Sequence, residues 1–143
     1  MHEWLRRRCW GATIEVLDIE AGPGVTIVAD ARTWRPEPGS ELYDLVISTE
    51  CLEHVEGWTS VIATAAAALK VGGWFVGTCA SIGRGPHGAT GAPSPAKGEW
   101  YRNVWPQELV GMARSCFGFV NVQYEQDPSQ PTTCDLYWRA QKS

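Results

Sequence analysis

Two short β-branched runs, TIEVLDI at residues 13–19 and VTIVAD at 25–30, are separated only by EAGPG. Their spacing limits the possible folds more than any other feature of the chain. A parallel crossover containing a helix needs a dozen or more residues, and between Gly24 and Asp30 there are five. No helix fits there. The AGPG stretch is therefore not a glycine loop feeding a helix, and Ile27 stands where G-x-G-x-x-G would want its third glycine. The segment reads instead as two strands joined by a bare turn. Asp18 and Asp30 lie twelve residues apart, enough for an extended descent, a turn and a short return strand.

The rest of the chain alternates strand and helix signals. HEWLRRRCW (2–10) reads as a short amphipathic helix with Trp4, Leu5 and Cys9 towards a core. RTWRPEPGSE (32–41) is a proline-bearing loop, and YDLVIST (43–49) is a continuous apolar run of the kind buried on both faces of a parallel sheet. TSVIATAAAALK (59–70) is an alanine-rich helix stopped by Gly72 and Gly73, followed by the strand WFVGTCA (74–80). Residues 81–99 are a loop rich in glycine and proline, and PQELVGMARSC (106–116) places proline at a helix start. VNVQYEQ (120–126) and CDLYWRAQ (134–141) close the chain as a strand pair. This order predicts one α/β domain over 1–143, mostly parallel, with an antiparallel C-terminal strand pair. At 143 residues the chain can bury one core and not two.

Composition narrows the functional classes. A net charge of −4 argues against a large nucleic-acid footprint, and Arg6-Arg7-Arg8 reads as a solvated helix face. The five cysteines are odd in number and form no CxxC pair, the pattern of reduced, mostly buried thiols in a cytoplasmic protein. No apolar run approaches the ~20 residues of a membrane helix.

From Tyr43 onward, YDLVISTECLEHV, LKVGGWFVGTCAS and the closing strand pair resemble the class I S-adenosylmethionine-dependent methyltransferases. Val71 replaces the proline usual in that family's LKPGG. The resemblance implies a Rossmann-like sheet of order 3-2-1-4-5-7-6 and S-adenosylmethionine as cofactor. It makes VLDI the second strand and VTIVADA the third. Asp18, with Ile19 after it, then faces the ribose diol; Asp30 and Ala31 face the adenine, and Thr49 and Glu50 the transfer site. It also makes the first strand and its glycine loop absent, so the fold is expected to be N-terminally truncated at its central strand, with cofactor binding and activity impaired by the loss of the loop. Unpaired peptide groups in a dry core cost ~1–3 kcal/mol each. Hence strand two is expected to pair directly with strand four, or another chain, such as a second copy in a homodimer, to fill the vacated place, or the isolated chain to fold poorly. A mis-called start, with the missing strand encoded upstream, is a further expectation.

Glu50, Glu53 and His54 in ECLEHV lie at i, i+3 and i+4, and share a face if a helical turn begins there. His87 follows in the long loop. These four residues could hold Mn²⁺ or Mg²⁺, with the nitrogens favouring Mn²⁺; the arrangement is similar to the metal site of small-RNA 3′-end 2′-O-methyltransferases. Alternatively His54 or His87, with Glu50 beside them, serves as the base that deprotonates an oxygen acceptor. Cys51 reads as a small hydrophobe rather than a nucleophile. Trp100 and Tyr101 either line an acceptor pocket or cap the loop. The acceptor, small molecule or RNA end, is open. So is the other class of function, a non-catalytic interaction module on a degenerate fold.

Overall fold

The structure, a computed structural model, describes residues 7–130 and 133–143. The two opening runs form strands of two residues each, β1 (Leu17–Asp18) and β2 (Ile27–Val28), paired in parallel. They are shorter than the sequence predicts because polar side chains take over the ends of the ladder. Thr26 Oγ1 accepts the Val16 N–H at 2.8 Å, and Asp18 Oδ1 accepts that of Glu20 at 3.0 Å. Between them runs the bare turn, closed by the Val25 N–H on the Gly22 carbonyl at 3.1 Å.

YDLVIST forms β3 (Tyr43–Thr49) where expected, but as an edge strand it is not buried on both faces: none of its residues is fully buried. A single turn of 3₁₀ helix follows at Leu52–His54, then helix α1 (Thr59–Ala68) and strand β4 (Leu69–Ala80). Here the sequence reading is corrected. The helix ends at Ala68 rather than Lys70, and Gly72 and Gly73 lie inside the strand. Leu69 is wholly buried and already extended, in parallel register with Tyr43. Burial of that side chain against the sheet overrides the helical run. Gly73 serves close approach, since a Cβ there would lie 2.9 Å from the Lys70 carbonyl oxygen.

Helix α2 (Pro106–Cys116) begins at its proline, with the Trp105 N–H donating to Glu108 at 3.4 Å, and leads into β5 (Phe119–Gln126) and β6 (Cys134–Gln141). The four-stranded sheet has the order β3-β4-β6-β5: β3 and β4 are parallel, and β6 is antiparallel to both its neighbours. Both helices pack on one face of it. Leu52, Ile62, Leu69, Phe75, Leu109 and Leu136 fill the interface, each at most 1% exposed. Alanines at 65, 66 and 68 let α1 approach closely.

β1 and β2 form a separate sheet, and β1 does not pair with β3. The expected direct pairing is therefore corrected: among the described residues the edge of β3 away from β4 has no strand partner. That edge is tolerated because it lies at the surface rather than in a dry core. Leu45 and Ile47 on β3 are 45% and 36% exposed, so solvent can satisfy the peptide groups whose burial would be costly. Side chains tie the two sheets together. Tyr43 donates to Glu15, Arg32 to the Glu56 carbonyl at 3.2 Å, and Arg35 to Thr64 at 2.6 Å.

Of the predicted N-terminal helix, Trp4 and Leu5 lie outside the described residues. Cys9 is exposed, not turned to a core, and Trp10 beside it is 96% exposed. None of the five cysteines is in a disulfide; Cys79 and Cys134 are buried.

Candidate functional site

β3 and β4 run parallel, so Thr49 and Glu50 lie at the same end of the sheet as Thr78, Ala80 and Ser81. This is the carboxyl end of the strands, where ligands of open α/β sheets bind. Glu50 takes a left-handed backbone conformation, φ 49°. For a non-glycine residue this is strained, and such strain concentrates at functional sites. The kink is held by the Glu50 N–H on the Thr78 carbonyl at 2.8 Å and by Thr78 Oγ1 donating to the Glu50 carboxylate at 2.9 Å. Arg84 Nη2 approaches the same carboxylate at 3.9 Å while its Nη1 holds Asp135 at 2.5 Å.

The turn that follows buries Glu53 completely. One carboxylate oxygen accepts the Ala80 N–H at 2.9 Å; the other receives no N–H or O–H donor, and the Glu50 carboxylate lies within hydrogen-bonding reach of Glu53. Burial, reinforced by the nearby Glu50 carboxylate, pushes Glu53 up to about 7. His54 stands next to it with a buried Nδ1 that also lacks a partner. Burial lowers its pKa, and His87 lowers it further.

His87 comes from the loop after β4 and meets His54 edge to face, ring centroids 5.0 Å apart. Tyr101 packs against both, at 5.4 and 4.9 Å. The long loop is fixed by its own hydrogen bonds. The Arg102 N–H donates to the Glu53 carbonyl at 2.8 Å, Ser81 Oγ to the Val104 carbonyl at 2.8 Å, and Asn103 Nδ2 to the Arg84 carbonyl at 2.9 Å. Burial pushes the Tyr101 phenol up to about 12, so it stays a proton donor at neutral pH, here to Asn103 at 2.7 Å. Trp100, by contrast, points outward at 39% exposure.

Of the four residues predicted for a metal, Glu53, His54 and His87 come together, each offering a ligand atom within 4.8 Å of the others. Glu50 is outside that group: it precedes the 3₁₀ turn and is engaged by Thr78 and Arg84. Cys51 has its thiol pKa raised, chiefly by burial, as suits a small hydrophobe. The Asp18 carboxylate adds a smaller upward effect on that thiol.

Asp18 and Ile19 are exposed at the end of β1. The Asp30 carboxylate after β2 is engaged by Arg32, whose Nε lies 3.0 Å from both oxygens and whose Nη2 lies 2.7 Å from one. Ala31 packs against the main core. Arg84, Asp135 and Glu99 were not marked by the sequence reading. Glu99 accepts the Ala96 N–H at 2.7 Å, and its charge opposes the lowering of His54. A charge that pairs across loops leaves no periodic signal that could have identified it.

A family model described as a methyltransferase domain matches residues 1–105. The chain belongs to this family of class I S-adenosylmethionine-dependent methyltransferases. No curated protein sequence matches it. Among solved structures, this methyltransferase-family chain is similar to Burkholderia thailandensis 1,6-didemethyltoxoflavin-N1-methyltransferase with bound 1,6-didemethyltoxoflavin and S-adenosylhomocysteine. The TM-score is 0.62 at 17% identity, over 89% of this chain and 60% of that one. It is also similar to Haemonchus contortus phospholethanolamine N-methyltransferase 2, in complex with phosphomonomethylethanolamine and S-adenosylhomocysteine. There the TM-score is 0.67 at 15% identity, over 98% and 46%. For the N-methyltransferase NodS of Bradyrhizobium japonicum, in complex with S-adenosylhomocysteine, the values are 0.58 and 15%, over 90% and 65%. The chain thus spans less than two thirds of each of these relatives. The likeness establishes a shared Rossmann-like methyltransferase fold.

Proposed function

We propose that the chain takes part in methyl transfer from S-adenosylmethionine to an acceptor held beside His54 and His87. The carrying observation is that a strained Glu50 and two packed imidazoles sit at the carboxyl end of β3 and β4, with Asp18 nearby. S-adenosylmethionine would supply a methyl group on a sulfonium; an acceptor's electron pair takes the methyl carbon, and the C–S pair stays on sulfur.

The residues present fit the adenosine half unequally. Asp18 is exposed and has acceptor capacity left beyond its bond to the Glu20 N–H, which suits a ribose diol. Asp30 is already saturated by Arg32, so an adenine amino group reaches it only by competing with that guanidinium; Ile19 and Ala31 offer apolar contact. Thr49 and Glu50 then face the transfer site. His54, kept neutral by its surroundings, is the base that receives the acceptor's proton, and His87 is its neighbour and alternate. Substrate class follows the base: an oxygen acceptor needs one, whereas a nitrogen acceptor needs mainly orientation.

Calorimetric titration with S-adenosylhomocysteine is the test. Micromolar binding is expected, weakened about tenfold or more in Asp18→Ala, since a charged hydrogen bond contributes ~1.5–3 kcal/mol. Binding unchanged in that variant would remove Asp18 from the cofactor site.

The open edge of β3, with Leu45 and Ile47 exposed, favours a second reading: an interaction module that accepts a strand from a second copy or another protein. Light scattering across a dilution series separates the two. A persistent dimer supports the second reading, and a monomer that binds S-adenosylhomocysteine supports the first.

A further inference from the structure

We propose that Glu53, His54 and His87 form a site for one divalent first-row transition-metal ion. The ion's role in presenting an acceptor oxygen rests on the function proposed above, but its binding does not.

Two independent observations carry this inference. The first is convergence: one carboxylate and two imidazoles from separate segments, the 3₁₀ turn and the loop after β4, place ligand atoms within 4.8 Å of one another. Ligands at the ~2.0–2.2 Å typical of nitrogen and oxygen donors are at most about 4.4 Å apart. Small side-chain rotations therefore close the site. The second is a pair of buried atoms without partners. Glu53 is fully buried with one oxygen unsatisfied, and His54 Nδ1 beside it is buried and unsatisfied. Buried polar atoms are normally paired, and each orphan costs ~1–3 kcal/mol. One cation would satisfy both.

Supporting contacts hold two of the ligands in place. Glu53 is anchored by the Ala80 N–H through its other oxygen. His87 Nδ1 lies 3.1 Å from the Gly85 carbonyl, a bond that puts the proton on Nδ1 and leaves the Nε2 lone pair for a ligand. Both are the kind of outer contact that orients metal ligands. Two nitrogens and one oxygen favour Zn²⁺, Co²⁺, Fe²⁺ or Mn²⁺ over Mg²⁺, which prefers oxygen and keeps its water. Three protein ligands leave coordination positions open, as in catalytic rather than structural sites.

The test is calorimetry of chelator-treated protein with ZnCl₂, MnCl₂ and MgCl₂, together with the visible spectrum after Co²⁺ addition. Because an exposed thiol also binds zinc, the measurements use Cys9→Ser protein. One equivalent of Zn²⁺ or Mn²⁺ is expected to bind at least tenfold more tightly than Mg²⁺. Affinity should fall at least tenfold in His87→Ala, a loop substitution that leaves the core untouched, and in His54→Ala. The Co²⁺ spectrum should show d–d bands that vanish in both variants. Absence of binding, or binding unchanged in the two variants, overturns the proposal. Glu53 would then be satisfied by a proton instead. Titration with S-adenosylhomocysteine in chelator is read separately, so a lost metal site and a lost cofactor site are distinguishable.

Discussion

Gly77→Ala is expected to destabilise the fold by about 3 kcal/mol or more, at or above the upper end of ordinary overpacking. Gly77 sits in the middle of β4 opposite Ser48 on β3 and Trp138 on β6. A Cβ there would lie 2.0 Å from the Ser48 carbonyl oxygen and 2.4 Å from the Trp138 ring. Neither neighbour can yield cheaply. The oxygen belongs to the β3 backbone, and Trp138 is 5% exposed and packed on Phe75, ring centroids 5.6 Å apart. Since whole domains are stable by only ~5–15 kcal/mol, the variant should unfold at markedly lower urea. Equilibrium urea denaturation followed by circular dichroism measures this. A loss under about 1 kcal/mol would show that the strand register across β3, β4 and β6 is not as described.

Glu53→Gln should change how stability depends on pH. Burial raises the Glu53 pKa from 4.5 to about 7. Between those values the folded state holds a proton that the unfolded chain has released. The stabilisation is present below about pH 4.5 and is lost as pH rises through about 7, a decline of roughly 3 kcal/mol at 1.36 kcal/mol per unit. Glutamine does not titrate. In chelator-containing buffer, the difference in unfolding free energy should therefore move about 3 kcal/mol in favour of the variant between pH 4.5 and 8. Any fixed cost of burying the amide shifts that difference without changing its slope, and His54 titrates in both proteins. A difference that is flat across the range would mean Glu53 is ionised throughout and is satisfied by a group other than a proton.

The sequence showed most of the main sheet. β3, α2 and β6 fall where periodicity and the proline put them, because local preference agrees with packing there, although β3 is an edge strand with Leu45 and Ile47 exposed. α1 and β4 divide differently, since burial of Leu69 is a tertiary fact that the helical run LK does not carry. β1 and β2 were located correctly but read too long; Thr26 and Asp18 replace peptide partners with side-chain oxygens, which strand propensity does not record. Within the site, the spacing of Glu53 and His54 was legible and the arrival of His87 was a reasonable inference. The engagement of Glu50 by Thr78 and Arg84 was not, because it depends on contacts from β4 and the loop after it. Arg84 was invisible for the same kind of reason: its bond to Asp135 spans a loop and a distant strand.

The division into two sheets has a mechanical consequence. β1 and β2 carry Asp18 and lead into Asp30, but they join the rest through a few side-chain bonds and the packing of Ala31, not through a shared backbone ladder. Elements held this way open at lower free energy than a sheet interior. Amide exchange at Ile27 and Ala29 should thus run well ahead of that at Phe75 and Leu136, without global unfolding. Under the proposed function, the adenosine end of the cofactor would rest on a hinged flap and the methyl end on rigid ground. Ligand capture would then lock the flap down, and slowed exchange in β1 and β2 alone would report it.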